Sequence, residues 1–244
     1  MNTVYKRPST IFEGAITTYC AGCMHATVNK LLAEVVEEMG ITEKIVVVNG
    51  VGCGGPWGYV DVDTIPTPHG RACAAASAFK RCCPDSIVVT YQGDGDYSSI
   101  GLAESMHAAN RGENITTLFI NNLLYGMTGG QFAPTTLVGM KTTTTPEGRK
   151  VEEYGYPLHM SEIISNLPAT AYVARCTCSS VPNVRKTKES IKKAIQAQID
   201  GKGYSMVEVL SACPTNWKMS PTKALEHINN VMVKEFPLGE FKAK

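Results

Sequence analysis

The chain has 244 residues, which at about 150 residues per domain means one large domain or two small ones. Its residues are 43% hydrophobic and 18% charged, with 22 Gly and 13 Pro, which excludes a disordered or fibrous chain and leaves enough apolar surface for a core. With 23 Lys and Arg against 22 Asp and Glu the formal net charge is +1, too weak a field to steer the chain onto nucleic acid or an anionic membrane. The opening segment MNTVYKRPSTIFEGAITTYC lacks the apolar stretch of a secretion signal. No later run approaches the ~18 uninterrupted apolar residues of a membrane span, so a soluble, cytoplasmic protein is expected.

In chain order, apolar residues at Val28, Leu31, Leu32, Val35, Val36 and Met39 predict an amphipathic helix from Met24 to Met39, with Gly40 placed to end it. Lys44–Asn49 (KIVVVN) reads as a strand, Arg71–Arg81 as an Ala-rich helix, and Ser86–Tyr91 (SIVVTY) as a second strand. Ile100–Arg111 has helical composition, and Ile115–Asn121 (ITTLFIN) is strand-like. From Asn122 to Met160 the chain is rich in Gly, Thr and Pro and includes the run KTTTTP, a loop long enough to be functional. Thr170–Arg175 and Tyr204–Leu210 read as strands, and between them Lys186–Ile199 places Ile191, Ala194, Ile195 and Ile199 on one helix side. Strands made of unalternated β-branched runs suit burial on both faces. The expected fold is one α/β domain over residues 1–244, a doubly wound, mostly parallel sheet with helices on both faces and its ligand beyond the carboxyl ends of the strands.

Two groups of residues at such strand ends carry chemistry. The strand SIVVTYQ leads into Gly93-Asp94-Gly95-Asp96, and 24 residues later ITTLFIN ends at Asn121-Asn122. Either half alone is an ordinary turn, with Asp96 or Ser98 as a helix cap. Together they bring an Asp and an Asn to one sheet edge, where two oxygens and a diphosphate can help fill an octahedral Mg²⁺ shell while the glycines let the backbone approach phosphate.

The second group is drawn from nine cysteines, an odd number that argues against a disulfide framework. Cys20 and Cys23 precede the first helix, whose positive end favours thiolates. Cys53 and Cys213 each follow a strand and can complete a four-thiolate set. Spacing alone does not separate structural zinc from an iron–sulfur cluster. Cys73, Cys82, Cys83, Cys176 and Cys178 are expected to be buried or otherwise outside the site.

The GDGD and NN pair resembles the thiamine diphosphate (TPP) fingerprint, and the continuation NNLLYGMTGGQFAPTT resembles the β subunit of 2-oxoacid:ferredoxin oxidoreductases. The likeness runs from Tyr19-Cys20-Ala21-Gly22-Cys23 through Gly52-Cys53 and His69-Gly70-Arg71 to Pro146, and returns at Ser211-Ala212-Cys213-Pro214-Thr215. The resemblance implies Mg²⁺ bound by Asp94, the Asn122 side chain and the Leu124 carbonyl. It implies a diphosphate surrounded by Gly93, Gly95, Asp96, Gly126, Met127 and Thr128, with Cys53, His69, Gly70 and Arg71 near the cofactor. It also implies a 4Fe–4S cluster on Cys20, Cys23, Cys53 and Cys213, although Ala21 stands where the family usually has Pro.

Such a subunit carries out TPP-dependent oxidative decarboxylation of a 2-oxoacid to acyl-CoA and CO₂, passing electrons through the cluster to external ferredoxin. The resemblance implies partners: an α subunit whose pyrimidine-binding domain supplies the activating Glu, a γ subunit and a ferredoxin-like δ subunit. Coenzyme A is the second substrate. The Leu123-Leu124 pair and LVGMKTTTTPEGR look most like the 2-oxoisovalerate enzymes, with 2-oxoglutarate, pyruvate and aryl-pyruvate as alternatives. From another class, a non-catalytic iron–sulfur or zinc scaffold would need the cysteines but not Asp94 and Asn122.

Overall fold

A computed structural model describes residues 6–56 and 58–244. Helix α1 (His25–Glu38) is followed by β1 (Ile45–Asn49), β2 (Asp63–Pro66), α2 (Ala72–Cys82) and β3 (Ile87–Gly93). A π-helical turn over Asp96–Ile100 leads into α3 (Leu102–Asn110), then β4 (Thr116–Asn121). The long connection holds a small hairpin, β5 (Leu124–Tyr125) with β6 (Gln131–Phe132), and the short helices α4 (Val151–Tyr154) and α5 (Met160–Ser165). The chain continues through β7 (Thr170–Thr177), α6 (Val181–Ile199), β8 (Tyr204–Leu210), α7 (Pro214–Trp217), α8 (Pro221–His227), α9 (Val233–Glu235) and β9 (Gly239–Ala243).

Seven strands form one sheet in the order β2-β1-β3-β4-β8-β7-β9, parallel throughout except for β9, which runs antiparallel along β7. Alternate residues of the central strands face opposite sides. Val47, Val89, Ile120 and Val207 pack with α1 and α6, whereas Val48, Val88, Phe119 and Met206 pack with α2, α3 and α5. Because both faces are covered, β1, β4, β7 and β8 are buried along their whole length, which explains their apolar runs. The stripe Val28, Leu31, Leu32, Val35 and Val36 anchors α1, each side chain contributing roughly 1.5–3 kcal/mol on burial. Gly40, at φ +64°, turns the chain out of that helix.

Two edge strands depart from the sequence reading, which had no strand at β2 or β9. Helix α6 also begins five residues early, at Val181, where the Ser180 hydroxyl accepts from Asn183 N and a proline stands in the first turn. Among the described residues no helix is long and apolar enough to cross a membrane.

The connections out of β1 and β3 lead in opposite directions across the sheet, to β2 and to β4. A crevice is therefore left beyond their carboxyl ends, where ligands bind in open α/β sheets.

Candidate functional site

That crevice is an open cleft walled by the loops after β1, β2, β3 and β4. Cys53, His69, Gly93, Asp94, Gly95, Asp96, Asn122, Leu124, Gly126, Met127 and Thr128 line it together. Asp94 and Asn122, 28 positions apart in sequence, thus meet through the parallel sheet, as the spacing of GDGD and NN led us to expect, and Cys53 joins them. His25, Val51, Gly52, Gly54 and Tyr125 also line the cleft and were not named as site residues from sequence, although Gly52 stands in the motif with Cys53. His25 had one usable signal, its place two residues after Cys23 at a helix start; Tyr125 lies inside the motif between two named residues.

Asp94 leaves the end of β3 with its carboxylate buried. Its Oδ1 accepts from Gly95 N at 2.8 Å and its Oδ2 from the Thr135 hydroxyl at 2.9 Å. Burial pushes its pKa up to about 7, against the opposing pull of hydrogen bonds from Thr135, Gly95, Leu124 and Asn122. A carboxylate desolvated this far gains most from a cation. Gly95 has to be glycine, because a Cβ there would stand 2.2 Å from the Tyr125 ring.

Across the cleft, Leu123 adopts φ 69°, a left-handed conformation that costs a β-carbon residue about 1–2 kcal/mol. The turn is held by Leu123 N donating to Asn121 Oδ1 at 3.2 Å and by the Thr136 hydroxyl donating to Leu123 O at 2.5 Å. Trp217 Nε1 donates to Asn122 O, and Leu124 N donates to Asn122 Oδ1. Strain of this kind persists where the surroundings over-determine it. Here it turns Asn122 and Leu124 toward the cleft.

Asp96, expected beside the diphosphate, lines the cleft and also braces the loops around it. Its Oδ1 accepts from Val51 N and Gly70 N, its Oδ2 accepts from Gln92 Nε2, and His69 Nδ1 stands 2.5 Å from Oδ1. The carboxylate therefore ties the loops after β1 and β2 to the end of β3. Gly70 lies behind the wall, where a Cβ would meet the backbone of Ile100 and Gly101 at 2.6 Å. Arg71 pairs with Glu104 at 2.7 Å and does not line the cleft.

The four cysteines of the proposed set converge on the same edge. A Cβ on Gly126 would lie 3.6 Å from Cys53 Sγ and 3.7 Å from Cys213 Sγ, so both sulfurs abut the turn after Asn122. Cys23 N closes a turn onto Cys20 O at 3.0 Å, and Gly22 between them, at φ +82°, packs against Pro221. Burial pushes the Cys23 thiol up to about 12, with Cys213, Cys53 and Cys20 adding to the effect. The helix start was expected to favour a thiolate there; burial overrides it. Cys53 and Cys213 are raised for the same first reason. Thiols that raise one another are suited to a polycationic centre that displaces their protons.

Among the described residues no three His, Cys, Asp or Glu side chains close around a single ion. A cubane is larger than one ion and offers each thiolate its own iron corner, and an Mg²⁺ site of this type draws on an amide and a carbonyl oxygen besides one carboxylate.

The other five cysteines stand apart. Cys73 donates to Gln92 Oε1 and Cys176 to Ser190 Oγ. Cys82, the last residue of α2, is exposed and Cys83, its C-cap, is half-buried, contrary to the burial expected of them.

A family model described as thiamine pyrophosphate enzyme, C-terminal TPP binding domain, matches residues 40–209. Fold and match together define a TPP-binding domain. Among curated proteins the chain is 46% identical over 227 residues to ketoisovalerate oxidoreductase subunit VorA of Methanothermobacter thermautotrophicus, covering 93% of this chain and 48% of that protein. It is 39% identical over 213 residues to 2-oxoglutarate synthase subunit KorB of Archaeoglobus fulgidus, covering 87% of this chain and 75% of that one. A solved 2-oxoglutarate:ferredoxin oxidoreductase from Magnetococcus marinus, with 2-oxoglutarate, coenzyme A and succinyl-CoA bound, aligns at TM-score 0.78 and 27% identity over 99% of this chain and 86% of that one. The chain thus belongs to the family of 2-oxoacid:ferredoxin oxidoreductase subunits, and it spans about half the length of the VorA relatives.

Proposed function

We propose that the chain is the cofactor-carrying β subunit of a 2-oxoacid:ferredoxin oxidoreductase, holding TPP through Mg²⁺ and a 4Fe–4S cluster beside it. The observation that supports this best is the Gly126 turn. Asn122 precedes it and lines the cleft, while the sulfurs of Cys53 and Cys213 lie within 3.7 Å of where a Cβ on Gly126 would stand, so in this reading one turn adjoins both the diphosphate and the thiolate set. In this reading Asp94, the Asn122 side chain and the Leu124 carbonyl hold Mg²⁺. Gly93, Gly95 and the Gly126–Thr128 turn receive the diphosphate, and Cys20, Cys23, Cys53 and Cys213 hold the cluster. When bound, TPP would supply an electron sink for the 2-oxoacid, and a cluster on the four cysteines would supply a one-electron acceptor.

TPP also needs a carboxylate at its aminopyrimidine end. The carboxylates lining the cleft, among the described residues, are Asp94 and Asp96, and both are already engaged. The activating Glu is therefore assigned to a partner α subunit. A γ subunit and a ferredoxin-like δ subunit complete the route to external ferredoxin, and the whole domain from residue 1 to 244 acts as one cofactor half in the cytoplasm.

Our favoured substrate is 2-oxoisovalerate. The two VorA relatives named for ketoisovalerate are 46% and 45% identical, against 39% for the A. fulgidus relative named for 2-oxoglutarate. The buried Leu124 gives the cleft an apolar wall. The test is anaerobic assay of the complex purified with its native partners, using 2-oxoisovalerate, 2-oxoglutarate, pyruvate and an aryl-pyruvate, each with coenzyme A. The highest kcat/KM should fall on 2-oxoisovalerate; a preference for another acid reassigns the substrate, and absence of turnover with all four rejects the activity.

A further inference from the structure

Asn216 occupies the junction of the two cofactor sites. It belongs to α7, which starts directly after Cys213. A side-chain amide carries two N–H donors, and its Nδ2 donates to Gly126 O at 2.8 Å and to Cys213 Sγ at 3.3 Å. Space is reserved for this amide: Gly130, at φ +84°, faces it, and a Cβ there would come within 3.1 Å of Asn216 Cβ.

We propose that Asn216 is a positioning residue that raises the reduction potential of the cluster bound by Cys213 and fixes that thiolate to the cofactor turn. This rests on the reading of Cys20, Cys23, Cys53 and Cys213 as cluster ligands. The cluster gains one negative charge when it takes up an electron. An N–H aimed at a ligand sulfur stabilises the more negative state, and hydrogen bonds to sulfur are among the factors that set such potentials. Because the second N–H of the same amide holds Gly126 O, the donor cannot swing away from the sulfur without releasing the turn that faces the diphosphate. Gly126 and Cys213 are thereby kept at a fixed separation.

The test is a redox titration of the anaerobically purified complex with dithionite and mediators, followed by EPR, for wild type, Asn216→Leu and Asn216→Asp. Subtracting wild-type from variant curves isolates this chain's cluster from any on partner subunits. Asn216→Leu should shift the midpoint to more negative potential with iron content unchanged. Asn216→Asp, nearly isosteric but without an N–H and with an added negative charge, should shift it further. An unchanged midpoint in either iron-replete variant overturns the proposal. So does loss of iron from both variants in assembled complex, which would give Asn216 a purely structural role. A wild-type complex without iron on this chain overturns the cluster reading and, with it, this inference.

Discussion

Thr135 donates its hydroxyl to Asp94 Oδ2 at 2.9 Å, and the two residues are 41 positions apart in sequence. The next residue, Thr136, donates to Leu123 O and accepts from Ala133 N. One dipeptide therefore touches both loops of the candidate metal site, the end of β3 and the strained turn after β4. Arg149 secures this dipeptide from behind: its guanidinium, buried, donates to the carbonyls of Pro134, Thr136, Tyr154, Gly155 and Tyr156.

Removing the Thr135 hydroxyl should therefore weaken Mg²⁺ without emptying the fold. Partners of metal ligands typically account for ~10- to 100-fold in affinity, so Thr135→Val should need about that much more Mg²⁺ to retain TPP. Thr135→Ser, which keeps the hydroxyl, should behave as wild type. The measurement is TPP content after equilibration across a Mg²⁺ series.

Cys213→Ala should strip the complex of about four irons and four sulfides belonging to this chain, the content of one cubane. It should also lower thermal stability, since a cluster on these four cysteines would tie the segment before α1 to the loop after β8. Iron and sulfide analysis of anaerobic preparations decides it; full cluster retention, or stoichiometric zinc, counts against the assignment.

Inside the sheet, Arg175 is fully buried and pairs with Glu208 at 2.8 Å, while Glu208 also accepts from Asn121 Nδ2 and the Ser161 hydroxyl. Arg175 further reaches Glu162 and stacks over Phe241 at 4.9 Å. Breaking a buried pair strands the remaining charge at a cost of about 3–5 kcal/mol. Arg175→Met should lose stability on that scale in urea denaturation, and because Asn121 braces Leu123, it should also loosen TPP retention.

His25 is 2% exposed, and burial lowers its pKa to about 4. Its Nδ1 lies 2.9 Å from the Tyr91 hydroxyl. A histidine depressed in the folded state contributes stability above its unfolded pKa of about 6.5 and loses it as pH falls toward the folded value. The shift amounts to roughly 3 kcal/mol between pH ~6.5 and ~4. Thermal unfolding of wild type should fall more steeply through that window than that of His25→Gln; parallel curves would show that another group dominates.

What the sequence revealed and what it hid follow one physical division. The central strands announce themselves because burial on both faces demands unbroken runs such as Ile45–Val48. β2 is partly exposed along its length and ends in Pro66, and β9 lies at the opposite edge with its antiparallel pairing, so neither needed such a run. The meeting of Asp94, Asn122 and the four cysteines at one sheet edge was legible because residue type and spacing at strand ends point there. Thr135, Arg149 and Asn216 were not, because a Thr, an Arg or an Asn in a loop gains meaning only from the atom it reaches across the fold. The role of Asp96 as a clamp on Val51 and Gly70 was hidden for the same reason.

The most direct test of a shared TPP and cluster site is EPR of the anaerobically purified complex after addition of 2-oxoisovalerate, with and without coenzyme A, comparing wild type with Asp94→Ala. The expected result is reduction of this chain's cluster by the 2-oxoacid in wild type, and in Asp94→Ala an unreduced cluster of unchanged iron content with TPP and Mg²⁺ lost. Equal TPP content and equal cluster reduction in the two proteins would contradict the assignment of Asp94, and with it the placement of the cofactor in this cleft.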